Sequence, residues 1–201
     1  MRKIVLASAS PRRASLLESV GLKFEVVVSR TDETNHPEMS PTRLVVDNAL
    51  GKARDVAARV APESAVIGAD TIVYLDAKVL GKPESMADAR RMLNTLSGRT
   101  HQVFTGLAVV SRSDDKELTA VEVTDVTFRK LGEGDIDDYL RAVSPMDRAG
   151  AYTVDGVGSL LVERFEGCFY NVLGLPMVAL DRLLGEFSVN LFRTGNHSEK
   201  G

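Results

Sequence analysis

Ser8-Ala9-Ser10-Pro11-Arg12-Arg13 places two hydroxyls, a proline and two cations directly after a short apolar run, Ile4 to Ala7. Serine is favoured at a helix N-cap and proline at the first helical position, so the segment predicts strand, loop and helix start. Such a helix end offers unpaired N–H groups and a positive dipole end, which suit a phosphate. Arg12 and Arg13 oppose that dipole unless an anion docks there. A capped helix with two solvated arginines accounts for this segment equally well, and the glycines of a P-loop or a dinucleotide fingerprint are missing.

Asp70, in Gly68-Ala69-Asp70-Thr71, interrupts an apolar stretch from Ala65 to Leu75. A carboxylate there is costly unless it reaches solvent, a cation or a metal. It can hold Mg²⁺ or take a proton from water, or it can be the polar corner of a turn between two strands. The small neighbours, which leave room for a ligand, tilt the reading toward chemistry. Lys52 falls at helical spacing with Val45, Ala49 and Val56, where a lysine more often snorkels along apolar surface than meets a partner. Lys82 sits in Gly81-Lys82-Pro83, and Asp32-Glu33 forms an acidic pair in a polar loop, a second source of metal ligands. Gly150 to Gly156, with Tyr152 and Asp155, is a small-residue stretch that reads as ligand contact or as a glycine-rich bend. His36, His101 and His197 are dispersed and Cys168 is the only cysteine, so no zinc spacing exists.

The elements that must position these residues follow from periodicity. Strands are expected at Ile4–Ala7, Lys23–Val28, Ala65–Ala69, Thr71–Leu75, Val103–Val110 and Val121–Phe128. Helices are expected from Pro11 to Gly21, from Pro41 through Val60, from Ser85 to Gly98, from Asp135 to Val143 and from Pro176 to Phe187. Asp76-Ala77-Lys78 turns one hairpin, and Ser159–Arg164 with Cys168–Val172 predicts another. Mixed crossovers and hairpins imply an α/β fold with a mixed sheet and helices on its faces. One domain over residues 1–187 and a polar tail over 188–201 are expected.

Composition narrows the function classes. The chain has 201 residues, a formal net charge of -3, 44% hydrophobic residues and 26% charged residues, which fits a folded domain and excludes whole-chain disorder. One cysteine excludes a disulfide scaffold, and no apolar run is long enough for a membrane span. No apolar leader follows Met1-Arg2-Lys3, so the cytoplasm is the expected compartment. A net acidic chain with 5% aromatic residues is a poor nucleic-acid binder, so a polyanionic ligand needs a local cationic cluster.

In order and spacing the segments Leu6–Arg13, Thr31–Glu33, Lys52-Ala53, Gly68–Thr71, Gly81–Pro83, Leu96–His101, Lys130–Asp138, Ala149–Tyr152 and Val172–Pro176 resemble the Maf family. The resemblance runs from Ile4 to Leu184. It implies a nucleoside triphosphate pyrophosphatase that cleaves between the α and β phosphates, needs Mg²⁺ or Mn²⁺, and has an inosine-triphosphatase-like fold with an elongated mixed sheet and a cleft between two lobes. A homodimer and a link to septum formation are also implied. By the same resemblance Asp70 is the proton acceptor, Ser8, Arg12, Arg13, Lys52 and Lys82 surround the phosphates, and Glu33 joins Asp70 at the metal. Arg12 and Thr71 look like the branch acting on dTTP and UTP. Asp155 stands where that branch usually has glutamine, and an ionised carboxylate only accepts hydrogen bonds. A non-catalytic nucleotide-binding regulator of cell division and a phosphomonoesterase are the rival readings.

Overall fold

The structure, a computed structural model, describes residues 2–34 and 38–194. His36, His197 and residues 195–201 of the expected tail lie outside the described residues. Seven strands form one mixed sheet in the order β2-β1-β3-β5-β6-β7, with β4 paired to β3. β1 (Ile4–Leu6) runs parallel to β2 (Glu25–Val26) and to β3 (Ala65–Leu75). β4 (Lys78–Leu80), β5 (Thr100–Ser111), β6 (Lys116–Phe128) and β7 (Val162–Glu166) add antiparallel ladders. β2 is shorter than the expected Lys23–Val28, because at the exposed sheet edge its only partner is the three-residue β1.

β3 is one strand of 11 residues where two were expected. Asp70 is not a corner, because its backbone continues the β5 ladder opposite Gly106. β3, β5 and β6 run the length of the molecule, and separate cores form at the two ends. One lies under α3 (Met86–Leu96) and α4 (Glu133–Ala142), around Leu93, Phe128, Ile136 and Tyr152. At the other end α1 (Pro11–Ser19) and α6 (Met177–Gly185) cover one face over Leu17, Ile67 and Leu180, and α2 (Pro41–Ala57) covers the opposite face over Val56 and Val66. The sheet therefore carries two lobes.

α2 approaches the sheet unusually closely. A Cβ on Gly68 would lie 2.1 Å from the Ala49 carbonyl oxygen, and one on Gly106 would lie 2.2 Å from that of Val45. Only glycine fits beneath this helix. The Asp76-Ala77 hairpin turn has both residues at positive φ, 49° and 59°, as a tight two-residue turn requires.

The expected hairpin over Ser159–Arg164 and Cys168–Val172 does not form. Gly156–Leu161 is a 3₁₀ turn, only Val162–Glu166 is a strand, and Phe169–Val172 is a single helical turn, α5. The β-prone Cys-Phe-Tyr side chains lose to one buried polar group. Asn171 donates from Nδ2 to the Val103 carbonyl and to Thr124 Oγ1, both at 2.9 Å, and its own carbonyl accepts from Thr105 Oγ1 at 3.1 Å. The ordered fold also continues past Phe187. Val189 and Leu191 join the core beneath α6, and Leu191–Thr194 is a short helix, α7, where a polar tail was expected.

Candidate functional site

β1 pairs with β3 only over Ala65–Ile67, and β4 pairs with the same edge of β3 only over Val73–Leu75. Between them the edge of β3 at residues 68–72 has no strand partner among the described residues. A cleft of about 650 Å³ opens there, and Ser8, Arg12, Arg13, Glu33, Lys52, Asp70, Thr71 and Lys82 all line it. Side chains alternate along β3, so Asp70 points toward α2 with Gly68, while Thr71 points to the other face. The site thus draws on both faces of the sheet.

Asp70 is 5% exposed. Its Oδ1 accepts from Lys52 Nζ at 2.7 Å and its Oδ2 from Asn48 Nδ2 at 3.0 Å. Lys52 Nζ also donates to Glu33 Oε1 at 2.7 Å and to the Ala69 carbonyl at 3.4 Å. The lysine on the α2 stripe does not snorkel; its ammonium bridges two carboxylates. Asn48, one turn earlier, was not singled out in the sequence. It accepts from the Thr34 backbone N–H at 2.9 Å and so ties the acidic loop to α2 beside Asp70. Its signal was available: an amide among Val45, Ala49 and Lys52 on an otherwise buried helix face.

Arg13 stands on the other side. Its Nε donates to the Gly174 carbonyl at 2.8 Å, Nη1 to Ser8 Oγ at 3.2 Å and to the Ala69 carbonyl at 3.0 Å, and Nη2 to Thr71 Oγ1 at 2.9 Å. A guanidinium has five N–H donors, so four bonds to the protein leave one for a ligand. Arg13 meets a substrate chiefly as a fixed positive charge, not as an open fork. Burial lowers its pKa, and the nearby Asp70 charge opposes that shift. Ser10 takes the N-cap position of α1 without a side-chain cap bond; its N–H donates instead to Ser8 Oγ at 3.2 Å. The orphan N–H groups of the first turn are therefore left without a side-chain cap at a helix end whose residues line the cleft.

Arg12 and Lys82 make no hydrogen bond or ion pair among the described residues and front the cleft as uncommitted cations. Burial lowers the pKa of Arg12, with Arg148 adding a like-charge contribution. Lys82 is held by its neighbour, because the Gly81 carbonyl accepts from the Gly150 N–H at 2.9 Å. That bond joins the β4 loop to a tight turn in which Gly150 and Ala151 have φ of 67° and 63°.

Asp155 departs from the expected pattern. It is absent from the cleft lining, its carboxylate accepts from Thr153 Oγ1, and its Oδ1 lies 3.9 Å from Arg148 Nη1. The Thr153 bond is the main cause of its lowered pKa. Arg148, which does line the cleft, was missed because no apolar period or motif marks it. Tyr152, on the wall beside it, is hydrogen-bonded to buried His101 Nε2 at 2.7 Å.

Among the described residues no group of three or more His, Cys, Asp or Glu side chains forms a metal cage. Two carboxylates, Asp70 and Glu33, meet at one cation, and that matches Mg²⁺ or Mn²⁺ held by one or two carboxylates with substrate oxygens and water completing the shell. Among the described residues no helix is long and apolar enough to cross a membrane.

A family model described as Maf-like protein matches residues 3–187. The chain is similar to a protein of Bacillus anthracis named dTTP/UTP pyrophosphatase, 45% identical over 191 residues that cover 95% of this chain and 98% of that one. It is similar also to a protein of Acetivibrio thermocellus with the same name, 45% identical over 199 residues, covering 96% and 99%. Among solved structures it is similar to the Staphylococcus aureus Ham1 protein, 16% identical, with a TM-score of 0.46 over 63% of this chain and 72% of that one.

Proposed function

Because the chain belongs to the Maf-like family, we propose that its cleft is the active site of a nucleoside triphosphate pyrophosphatase acting on dTTP and UTP. Water attacks the α-phosphorus, and nucleoside monophosphate and pyrophosphate leave. The names of relatives 45% identical over nearly the whole chain support the substrate class. The observation that carries the reading is Asp70: a buried carboxylate held by Lys52 and Asn48 in a cleft that also presents Arg12, Arg13 and Lys82.

Hydrolysis of a triphosphate needs its charge neutralised, its phosphate held in line with water, and the water's proton removed. Arg13 and Lys52 are preorganised by bonds to the protein, so little reordering is required when charge develops. Arg12 and Lys82, without a hydrogen-bond or ion-pair partner among the described residues, are the cations most able to close on phosphate oxygens. Each Asp70 oxygen has an acceptor site beyond its Lys52 or Asn48 bond. Asp70 orients the attacking water and takes its proton, while Lys52 and Asn48 fix the position of its two oxygens. Asp70 and Glu33 would hold a divalent cation, which supplies further neutralisation of phosphate charge when bound. The proposal extends to a homodimer and a tie to septum formation, both implied by the family resemblance, and to a cytoplasmic location.

The test is a triphosphate panel with Mg²⁺, measuring monophosphate and pyrophosphate together. Equal amounts of both are expected from dTTP and UTP. Asp70→Asn should lower turnover by about 10²–10⁴-fold with an unchanged circular dichroism spectrum. Orthophosphate as the product would point to a phosphomonoesterase. Binding without turnover would point to a regulator.

A further inference from the structure

Arg148 is the cation of the cleft wall that the reaction so far leaves unused. It follows Asp147 in the loop leading into the Gly150-Ala151 turn, and its side chain is 20% exposed. Nε and Nη1 are sealed from solvent without a hydrogen-bond partner. They face carboxylates at longer range, Asp147 Oδ1 at 3.5 Å from Nε and Asp155 Oδ1 at 3.9 Å from Nη1. Those two nitrogens orient the guanidinium. Nη2 is neither sealed nor hydrogen-bonded among the described residues, which leaves it to a ligand in the cleft.

The surroundings decide what that ligand offers. The anion-binding set of Ser8, Arg13 and Lys52 lies around the open edge of β3. Arg148 instead borders an apolar wall, where Val73, Ala149, Val172, Leu173 and Tyr152 belong to the core of the other lobe and line the cleft. A flat ring packs on such a wall; a phosphate does not. The charges that face Arg148 directly are carboxylates, Asp147 and Asp155, which disfavour a polyanion beside it and leave the guanidinium to read hydrogen-bond pattern.

We propose that Arg148 is a specificity residue that donates from Nη2 to the 4-keto oxygen of a thymine or uracil base, and that Asp155 is a positioning residue that aims it. This inference rests on the nucleotide reading of the cleft and extends it. Cytosine carries an amino group at the same ring position, and a donor facing a donor is rejected. The Gly150-Ala151 turn holds the backbone that carries Arg148, because the Gly150 N–H donates to the Gly81 carbonyl and the Ala151 N–H to the Arg148 carbonyl. Asp155 thereby acts on base choice from outside the cleft lining.

The test is calorimetric binding of dTMP, dCMP and inorganic pyrophosphate to the full chain, read without turnover. The parent should prefer dTMP. Arg148→Met should weaken dTMP binding by about 10- to 100-fold, the loss of one charge-assisted hydrogen bond, with dCMP and pyrophosphate within about twofold. Arg148→Lys keeps a cationic donor without the planar aim and should retain part of the dTMP preference that Arg148→Met loses, which guards against a misfolded methionine variant. Asp155→Asn should reduce the dTMP-to-dCMP ratio by a smaller factor, and Asp155→Glu should restore part of it. Equal losses for all three ligands, no loss for any, or a parent without a dTMP preference would each overturn the proposal. Failure of the parent to release pyrophosphate from dTTP would defeat the proposed reaction instead, and the binding ratio would still be measurable.

Discussion

Replacing Arg13 with lysine keeps the charge and removes the plane. The four hydrogen bonds of Arg13 reach Gly174, Ser8, Ala69 and Thr71, and a single ammonium cannot span them. Two of those acceptors have another donor, since Ser8 Oγ takes the Ser10 N–H and the Ala69 carbonyl takes Lys52 Nζ, whereas Thr71 Oγ1 donates to Thr105 Oγ1, whose own proton goes to the Asn171 carbonyl. The Gly174 carbonyl loses its side-chain donor. An unsatisfied buried carbonyl costs about 1–3 kcal/mol and each net bond lost about 1 kcal/mol, so Arg13→Lys should cost roughly 3 kcal/mol of folding stability. With a urea slope of about 2–3 kcal/mol/M for a chain this size, the midpoint should fall by just over 1 M. The chain has no tryptophan, so far-UV circular dichroism is the suitable probe. kcat/KM for dTTP should fall as well, because Ser8 and Thr71 lose the group that holds them. A midpoint within about 0.3 M of the parent, with activity alone reduced, would show that Arg13 only touches phosphate and would refute the structural half of the argument.

Gly68→Ala should be severe, because the new Cβ would lie 2.1 Å from the Ala49 carbonyl oxygen and neither backbone can yield cheaply. We expect a loss of about 3 kcal/mol, seen as a melting temperature lower by roughly 6–12 °C, and turnover reduced further as Asn48 and Lys52 lift away from Asp70. His101 is 1% exposed and burial lowers its pKa from 6.5 to about 4. The unfolded chain takes up a proton below pH 6.5 that the folded chain refuses, so stability should fall by about 3 kcal/mol between pH 6.5 and pH 4. Urea titrations across that window should show the slope in the parent and a flatter line in His101→Gln. The same slope in both would assign the effect elsewhere.

Much of the architecture was legible because apolar runs and Ser-Pro helix starts are local signals. Pro41 and Ser85 mark helix starts in the structure as in the sequence, and Ser40 and Ser85 accept the expected capping bonds from Arg43 and Asp88. In the sequence β3 looks like two strands, because a carboxylate in an apolar run reads as an interruption. Its compensation comes from Lys52 and Asn48 on α2, at a distance that no local pattern encodes. The segment from Ser159 to Val172 was misread for a similar reason: the conformation of Phe169–Val172 is dictated by the buried bonds of Asn171 to β5 and β6. The residue types of the site were readable, and Ser8, Arg13, Lys52 and Asp70 do converge. How they are bonded was not readable, and that alters their roles. Lys52 is an ion-pair bridge, Arg13 is largely committed to the protein, and Asp155 lies outside the lining that Arg148 occupies.

β3, β5 and β6 pass without interruption from one lobe into the other. Domain closure needs a few residues that absorb a large dihedral change, and along these three strands the residues at the crossing are held in ladders beneath the cleft. The sheet is therefore a stiff floor shared by both lobes. Adjustment to a ligand falls to side chains and to the loops at the rim, around Glu33 and Arg148. An inhibitor fitted rigidly to the unliganded floor should keep its pose in the complex, whereas chemistry placed at the rim must allow for rotamer changes.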